Sequence, residues 1–344
     1  MKLKKILSVG SAMVIASSML VGCSSESSEE NSTQSSGIKI GMVADIGGIN
    51  DESFNQSAWE GLQRAKKDLG VEIKVIESKQ ASEYLTNMES LIDEGMDLVI
   101  GVGYAMKEDI QKEAQNYPDK QFVLIDETYD TIPENVTPVL FKENEAAYLT
   151  GLIAGKMTKT NKVGFIGGIE TPVVSRFEYG YKAGVNEANK KCDVNVQYAG
   201  TFSDAAKGKS IANQMYGNGS DIILSAAGAT GLGAIEAAKE QNKYAIGVDR
   251  DQSDLAPENV LTSALKKVNV GVYDTVKEFV EGKLKGGQEK VYGLKENGIG
   301  IPETTKNLVP QNIIDYVNSM IEKIKNDEIK VPSNEKEYKS MASK

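Results

Sequence analysis

Histidine is absent from this 344-residue sequence, and arginine, cysteine and tryptophan are rare. Without histidine the chain cannot form a Ser-His-Asp triad, a Cys-His pair or a histidine-bound zinc or iron site. Its two cysteines are too few for a disulfide framework. Acidic residues outnumber basic ones by 49 to 39, which gives a net charge of −10. Because phosphate backbones require a positive surface, the sequence argues against a nucleic-acid partner.

Nucleotide-binding and catalytic motifs are also missing. Residues 228–233, Gly-Ala-Thr-Gly-Leu-Gly, lack the further glycine that a dinucleotide fingerprint requires. Residues 207–210 end like a P-loop, but Ser203 stands where the first glycine should be. No G-x-S-x-G and no C-x-x-C occurs. We therefore predict no cofactor and no metal, although acid/base catalysis by carboxylates stays open.

The first 22 residues have the pattern of a secretion signal. Three lysines within the first five residues precede an apolar run, Ile6 to Val21, that is too short and too serine-rich to span a membrane. The run ends in Leu-Val-Gly-Cys at residues 20–23, which resembles a bacterial lipobox. We expect Cys23 to carry a diacylglyceryl lipid that anchors the chain to the outer side of a cell membrane. A plain secretory signal with an incidental cysteine is the alternative.

Residues 23–36, which follow the signal, are the lipobox cysteine and then a serine- and glutamate-rich stretch typical of a flexible tether. Loss of residues 1–22 removes three lysines and no acid, which changes the net charge from −10 to −13. We expect a soluble body that is held at the bilayer by its lipid alone.

From residue 37 onward, apolar strand patterns alternate with helical ones. Runs of valine, isoleucine and leucine bounded by glycine, aspartate or asparagine are typical of parallel strands buried on both faces. The strand candidates are Ile38–Ala44, Val71–Glu77, Asp97–Val102, Gln121–Ile125, Val136–Phe141, Lys162–Ile166, Val194–Tyr198, Asp221–Ser225, Tyr244–Val248 and Val260–Ala264. Because the pattern restarts near Lys162, it predicts an α/β fold of two doubly wound parallel-sheet lobes.

The lobes are expected to be discontinuous in sequence. We assign residues 37–142 and 265–285 to the first lobe, and residues 143–264 and 286–326 to the second. Residues 327–344 are rich in lysine and glutamate and are predicted to be a fraying polar tail.

Candidate binding residues come from the carboxyl ends of the predicted strands, where ligands of such sheets bind. Those positions carry Asp45, Asn50, Asp51, Gly103, Asp126, Gly167, Gly168, Gly228–Gly233, Asp249 and Lys266. Carboxylates that converge there could accept hydrogen bonds from ligand hydroxyls. The pattern predicts a binding cleft between the two lobes.

The segment after the first strand adds an aromatic residue. Ser53 is predicted to cap a helix whose first turn contains Phe54 and Asn55. Phe54 either offers a flat platform to a ligand, with Asp45 and Asn55 at its polar edge, or packs beneath the loop. Arg176 faces either the cleft or a neighbouring carboxylate.

Several of these stretches together resemble the basic membrane protein family of lipoproteins, the purine nucleoside receptors of ABC importers. The likeness covers nearly all of residues 37–310. It is carried by the lipobox and by residues 44–55, 122–126, 167–178, 226–231, 246–252 and 261–267. The resemblance implies a type I periplasmic binding protein fold, in which two lobes joined by hinge crossings close on the ligand.

The resemblance also implies roles for individual residues. Phe54 would stack on a purine, with Asp45 and Asn55 near its polar edge. Asp126 would hydrogen-bond the ligand from the first lobe, and Asp249 and Lys266 would bind the ribose hydroxyls. The loop at Gly228 would approach the ligand closely. Phe177 and Phe202 are the candidates for a second aromatic wall, because Leu224 stands where that aromatic residue is expected.

The sequence thus predicts a lipid-anchored receptor, and not an enzyme, that captures inosine, guanosine or adenosine and delivers it to an ABC permease. A receptor for a sugar or a sugar-like signal is the alternative in the same fold, and replacing Phe54 should barely affect it. A nucleoside or glycoside hydrolase with paired carboxylates is a third hypothesis, which turnover of inosine or guanosine would reveal. Converging carboxylates would repel a phosphate, so a nucleoside is expected rather than a nucleotide.

Overall fold

The computed structural model describes residues 37–342 of the chain. The expected signal peptide, Cys23 and the tether lie outside the described residues. The elements of the first lobe are β1 (Lys39–Ala44), α1 (Phe54–Leu69), β2 (Glu72–Glu77), α2 (Tyr84–Asp93), β3 (Leu98–Val102), α3 (Lys107–Asn116), β4 (Gln121–Ile125) and β5 (Val136–Phe141). Valine, isoleucine and leucine dominate the buried strands, as the sequence pattern predicts.

The second lobe repeats this alternation. Its elements are α4 (Glu143–Met157), β6 (Lys162–Gly167), α5 (Pro172–Ala188), β7 (Asp193–Tyr198), α6 (Ala205–Gly217), β8 (Ile222–Ala226), α7 (Ala229–Glu240), β9 (Tyr244–Asp249) and β10 (Val260–Lys266). The remaining elements are α8 (Val268–Val280), β11 (Lys290–Tyr292), β12 (Ile299–Gly300), α9 (Gln311–Lys325) and α10 (Glu335–Ala342).

Two six-stranded sheets form the framework. Their strand orders are β11-β5-β4-β3-β1-β2 and β12-β10-β9-β8-β6-β7. Every pairing is parallel except that of β12 with β10, which is antiparallel. The predicted fold class is therefore confirmed. In both sheets the strand ends that carry the candidate residues share one edge, as parallel strands require.

The chain passes between the sheets three times, after β5, after β10 and after β11. Helix α8 packs against α1 on the first lobe, and α9 packs against α4 on the second. The expected boundary at residue 286 was wrong, because β11 pairs with β5 of the first sheet. The physical reason is that β5 would otherwise leave an unpaired edge, which a three-residue strand is sufficient to cover.

The prediction of a fraying tail was also wrong for the described part of residues 327–344. Val331 is buried, and its carbonyl oxygen accepts a hydrogen bond from Asn144 Nδ2 at 2.8 Å. Helix α10 packs on α5, where the rings of Tyr338 and Tyr179 lie 6.0 Å apart. A few apolar residues attach this segment to the second lobe. They lie among many charged residues, so the overall composition of the segment does not reveal them.

Between residues 37 and 342, no helix combines the length and the apolar character that crossing a bilayer demands.

Candidate functional site

A cavity lies between the two lobes at the carboxyl ends of their strands. About 640 Å³ there is free of protein atoms, part of it open to solvent. The first lobe lines it with Asp45, Gly47, Asp51, Phe54, Asn55, Gly103, Tyr104 and Asp126. The rest of the wall is Thr171, Val173, Val174, Phe177, Phe202, Ala226, Ala227, Gly228, Val248, Asp249 and Lys266. The structure therefore brings all eight predicted ligand-binding residues to one cavity, while their contact with a ligand stays a prediction.

Two carboxylates enter the cavity from equivalent places in the two sheets. Asp126 directly follows β4 and Asp249 ends β9, and these are the third strands of their sheets. Both residues have left-handed backbone, with φ of +75° and +64°, which non-glycine residues seldom adopt. Burial raises the pKa of each carboxyl group to about 6. The fold thus holds two desolvated acceptors at the cavity, and Asp126 Oδ1 has no hydrogen-bond partner in the described structure.

Lys266 connects the two carboxylates electrostatically. It ends β10 and its ammonium group donates to Asp126, while Glu143 Oε1 lies 3.7 Å from Nζ. Burial alone would lower the pKa of Lys266, but Asp126, Glu143 and Asp249 outweigh that effect and raise it. The lysine is therefore charged. Its Nζ also lies 4.6 Å from the centroid of the Phe54 ring, a cation–π distance.

A second ion pair lies behind Lys266. Arg176 Nε donates to Glu143 Oε2 at 2.6 Å, and Glu143 is fully buried. Of the two orientations left open for Arg176, the structure therefore shows the one toward a neighbouring carboxylate. Sequence reasoning missed Glu143. Its only signal is its position as the first residue of α4, directly after a crossing between the lobes.

Asp45 belongs to a polar network at the end of β1. Asn55 Nδ2 donates to Asp45 Oδ1 at 2.8 Å and to Asp51 Oδ2 at 3.1 Å. The backbone N–H of Gly47 donates to Asp45 Oδ1 at 2.8 Å. Burial outweighs these hydrogen bonds and raises the pKa of Asp45 to about 6. The network fixes the orientation of one carboxylate and one amide on the first-lobe wall.

The predicted helix cap at Ser53 was wrong in its chemistry. Ser53 occupies the N-cap position of α1, but its side chain makes no capping hydrogen bond. Asp51 accepts instead from the backbone N–H groups of Ser53, Asn55 and Gln56, at 2.9 to 3.1 Å. The freed hydroxyl of Ser53 donates to Asp249 of the second lobe. One aspartate therefore stabilises the helix terminus while the serine links the lobes.

The aromatic residues come from both lobes. Phe54 is half-buried and packs against the core as well as lining the cavity, so it fits both roles proposed for it. Phe177 and Phe202 line the second-lobe side, whereas Leu224 lies fully buried in the core. Gly228 has φ +54° with ψ −136°, a backbone conformation open to glycine, beside Phe202.

Cys192 is half-buried and does not line the cavity. Burial raises its pKa to about 11, which keeps the thiol protonated and unreactive. Among residues 37–342, no group of three or more acidic or cysteine residues is arranged to hold a metal ion.

Comparison with known proteins identifies the class of this chain. Residues 38–335 match the family model described as ABC transporter substrate-binding protein PnrA-like. The ABC transporter nucleoside-binding protein BmpA of Lactococcus lactis subsp. cremoris is 38% identical over 87% of this chain and 91% of its own. Basic membrane protein A of Borreliella burgdorferi is 40% identical over 87% of this chain and 89% of its own.

Solved structures agree with that assignment. A crystal structure of ABC transporter solute-binding proteins from Aeropyrum pernix K1 superimposes with a TM-score of 0.81 at 28% identity. The superposition covers 89% of this chain and 96% of that chain. These proteins are substrate-binding proteins of transporters and not enzymes.

Proposed function

This chain belongs to the PnrA-like family of ABC transporter substrate-binding proteins, and from that premise we propose that it captures a purine nucleoside between its lobes for delivery to an ABC permease. In this proposal Cys23 carries the lipid that keeps the protein at the outer side of the cell membrane. A relative named as a nucleoside-binding protein supports the ligand class. The hydrolase hypothesis is set aside, because the family consists of binding proteins.

The observation that carries the proposal is the combination of aromatic walls with buried carboxylates in one cavity. Phe54, Phe177 and Phe202 line it together with Asp126 and Asp249. Base stacking on an aromatic side chain contributes about 1–3 kcal/mol. A ribose hydroxyl bound to a buried carboxylate adds roughly 1.5–3 kcal/mol. Together these contributions support micromolar binding, which needs only about −8 kcal/mol.

The charge of the wall favours a nucleoside over a nucleotide. Asp45, Asp51, Asp126 and Asp249 line the cavity, while Lys266 supplies the one positive charge among its lining residues. That lysine already contacts Asp126. A phosphate group would therefore face carboxylates at low dielectric, where like charges repel strongly.

The test is thermal unfolding of the purified protein, freed of carried-over ligand, with inosine, guanosine and adenosine. At about 100 times the dissociation constant, a nucleoside should add about 2.7 kcal/mol of stability. For a body of this size, that gives a rise in melting temperature of roughly 5 °C. The corresponding nucleotides and free ribose should give no shift.

Two aspartates separate specific recognition from general charge effects. Asp249→Asn should sharply reduce the nucleoside shift, because the variant replaces a buried carboxylate that lines the cavity with a neutral amide. Asp251→Asn should preserve the shift, since Asp251 is exposed and bonds Thr304 Oγ1 at 2.7 Å outside the cavity. A wild-type protein that no nucleoside stabilises would refute the proposal, and a shift with ribose alone would favour the sugar receptor.

A further inference from the structure

A cluster of charges bridges the two lobes outside the cavity. Arg250 directly follows Asp249 at the end of β9, and its guanidinium group reaches across to the first lobe. There Nη1 lies 2.7 Å from Glu52 Oε2, and Nη2 lies 2.8 Å from Glu60 Oε1. None of these three residues lines the cavity. The bridge thus joins the lobes without occupying the space where a ligand would bind.

The neighbouring Gln252 strengthens this junction. Its Nε2 donates to the backbone carbonyl of Glu52 at 2.8 Å. Glu52 is therefore bound to the second lobe through both its side chain and its backbone. Gln252 is itself held in its own lobe, where its Oε1 accepts from the N–H of Val248 at 3.0 Å. Its backbone N–H donates to Ser263 Oγ at 3.1 Å. The second-lobe side of the junction is therefore held in place by contacts within its own lobe.

We propose that Arg250, Glu52 and Glu60 form a latch that slows release of the bound molecule by stabilising the closed arrangement of the lobes. This inference rests on the proposed function. The contacts exist only while the lobes touch, so their energy contributes to the lifetime of the closed state. Because a nucleoside is uncharged, Arg250 exerts no long-range attraction on it. Loss of Arg250 should therefore leave the association rate constant of the nucleoside unchanged.

The exposure of the three side chains limits the size of the effect. Arg250, Glu52 and Glu60 are 24%, 44% and 37% exposed, so water and salt screen the two pairs. One guanidinium group held by two carboxylates is still stronger than an isolated surface pair. We expect loss of the latch to raise the dissociation rate constant about 3- to 10-fold.

The chain offers a matched control among its arginines. Arg64 lies in α1, where its Nε is 3.3 Å from Asp68 Oδ2 and its guanidinium carbon is 3.7 Å from the ring centroid of Tyr273. Those partners belong to α1 and α8 of the same lobe. Arg64→Gln therefore removes an ion pair and a cation–π contact without touching the junction between the lobes.

The experiment measures association and dissociation rate constants of tritiated inosine, guanosine and adenosine. Arg250→Gln should raise the dissociation rate constant and leave the association rate constant within about 2-fold, while Arg64→Gln changes neither. The double variant Arg250→Gln/Glu60→Gln should release ligand no faster than Arg250→Gln alone. The reason is that both substitutions remove the same ion pair, that of Arg250 with Glu60. Added salt should speed release from the wild type more than from Arg250→Gln.

Equal dissociation rates in Arg250→Gln and Arg64→Gln would overturn the latch, as would an effect confined to association. If no nucleoside binds the wild type, the proposed function fails and the latch is judged on the ligand-free protein by small-angle X-ray scattering. At low ionic strength, a radius of gyration that is larger for Arg250→Gln than for the wild type and Arg64→Gln supports the latch. Equal radii overturn it.

Discussion

The two lobes share one plan but present different chemistry to the cavity. The two sheets have equivalent strand orders. The equivalent strands β4 and β9 each lead to an aspartate with left-handed backbone, Asp126 after β4 and Asp249 at the end of β9. The loops after β1 and β6 differ. The first contains Asp45 and Asp51 and leads to Asn55, whereas the second leads to an apolar first turn of α5.

This difference makes one wall polar and the other mainly apolar. Val173, Val174 and Phe177 of α5 line the second-lobe side, opposite in character to the carboxylates and amide of the first. Strand topology therefore places a pair of acceptors symmetrically, and the loops after the first strand of each lobe set the polarity around them.

Removing Lys266 should have the largest effect of the changes considered, because this lysine forms an ion pair with Asp126 but not with Asp249. Lys266→Met leaves Asp126 without its buried cation, and the loss of one partner of a buried ion pair costs about 3–5 kcal/mol. Urea unfolding measures this change. Lys267→Met is the control, because Lys267 bonds Asn297 at an exposed site and should cost under about 1 kcal/mol. Equal losses in both variants would contradict the assigned role of Lys266.

Aromatic truncation compares the two walls as stacking surfaces. Phe54→Ala and Phe177→Ala should each weaken nucleoside binding by about 1–3 kcal/mol, since each residue lines the cavity. Titration calorimetry gives the affinities. Phe279→Ala is the control, because this half-buried residue of α8 does not line the cavity and should leave affinity unchanged. A loss in Phe54→Ala alone would show that Phe177 contributes no stacking surface.

Titration of the paired aspartates compares the lobes electrostatically. The pKa of Asp249 is about 6 in the folded protein and near 3.8 when unfolded, so the folded state holds its proton more tightly. Stability contributed by this group therefore falls as pH rises from about 4 to 6. Asp249→Asn should stabilise the ligand-free protein at pH 7 by about 1–3 kcal/mol.

That advantage should shrink as the pH is lowered toward 4, where the wild-type carboxyl group is itself neutral. Asp126→Asn should gain less at pH 7, because the ionised Asp126 contacts Lys266 and the variant loses that attraction. Melting temperatures of the three proteins between pH 4 and 8 measure both effects. A gain that does not vary with pH would contradict the raised pKa of Asp249.

The smallest expected effect concerns the two helices that face the cavity. Thr171 caps α5 through its side chain, which accepts from the N–H of Val174 at 3.3 Å, so Thr171→Ala should cost about 1 kcal/mol. Ser53→Ala should cost no capping energy, because Asp51 caps α1, and any loss of stability should come from the missing hydrogen bond to Asp249. Chemical unfolding separates the two. A loss that persists when Ser53→Ala is made in the Asp249→Ala background would mean that the serine stabilises its helix after all.

Sequence alone predicted the parts of this site that follow from local pattern. The apolar runs that end at Asp126 and Asp249 mark strand ends, and parallel topology then brings those ends together. Gln121–Ile125 and Val136–Phe141 coincide with β4 and β5 as predicted.

Features that depend on the path of the chain in space could not be predicted in the same way. Glu143 is one acidic residue among many, and its pairing with Arg176 exists only after α4 and α5 pack together. The sheet to which β11 belongs is decided by a crossing between lobes, and three residues carry no periodicity. The capping role of Asp51 depends on loop geometry that places its carboxylate under three N–H groups.

The late position of β11 and β12 has a consequence for biosynthesis. Strand β11 completes the edge of the first sheet by pairing Lys290 with Val139, and β12 pairs with β10 on the second. The pairing of β11 with β5 joins residues that are distant in sequence, and it forms slowly because a long loop must close first. The amino-terminal lobe therefore cannot finish folding until the chain has been translated through β10 of the other lobe and on to β11. A ribosome that has polymerised residues 1–289 has produced neither sheet in its final form.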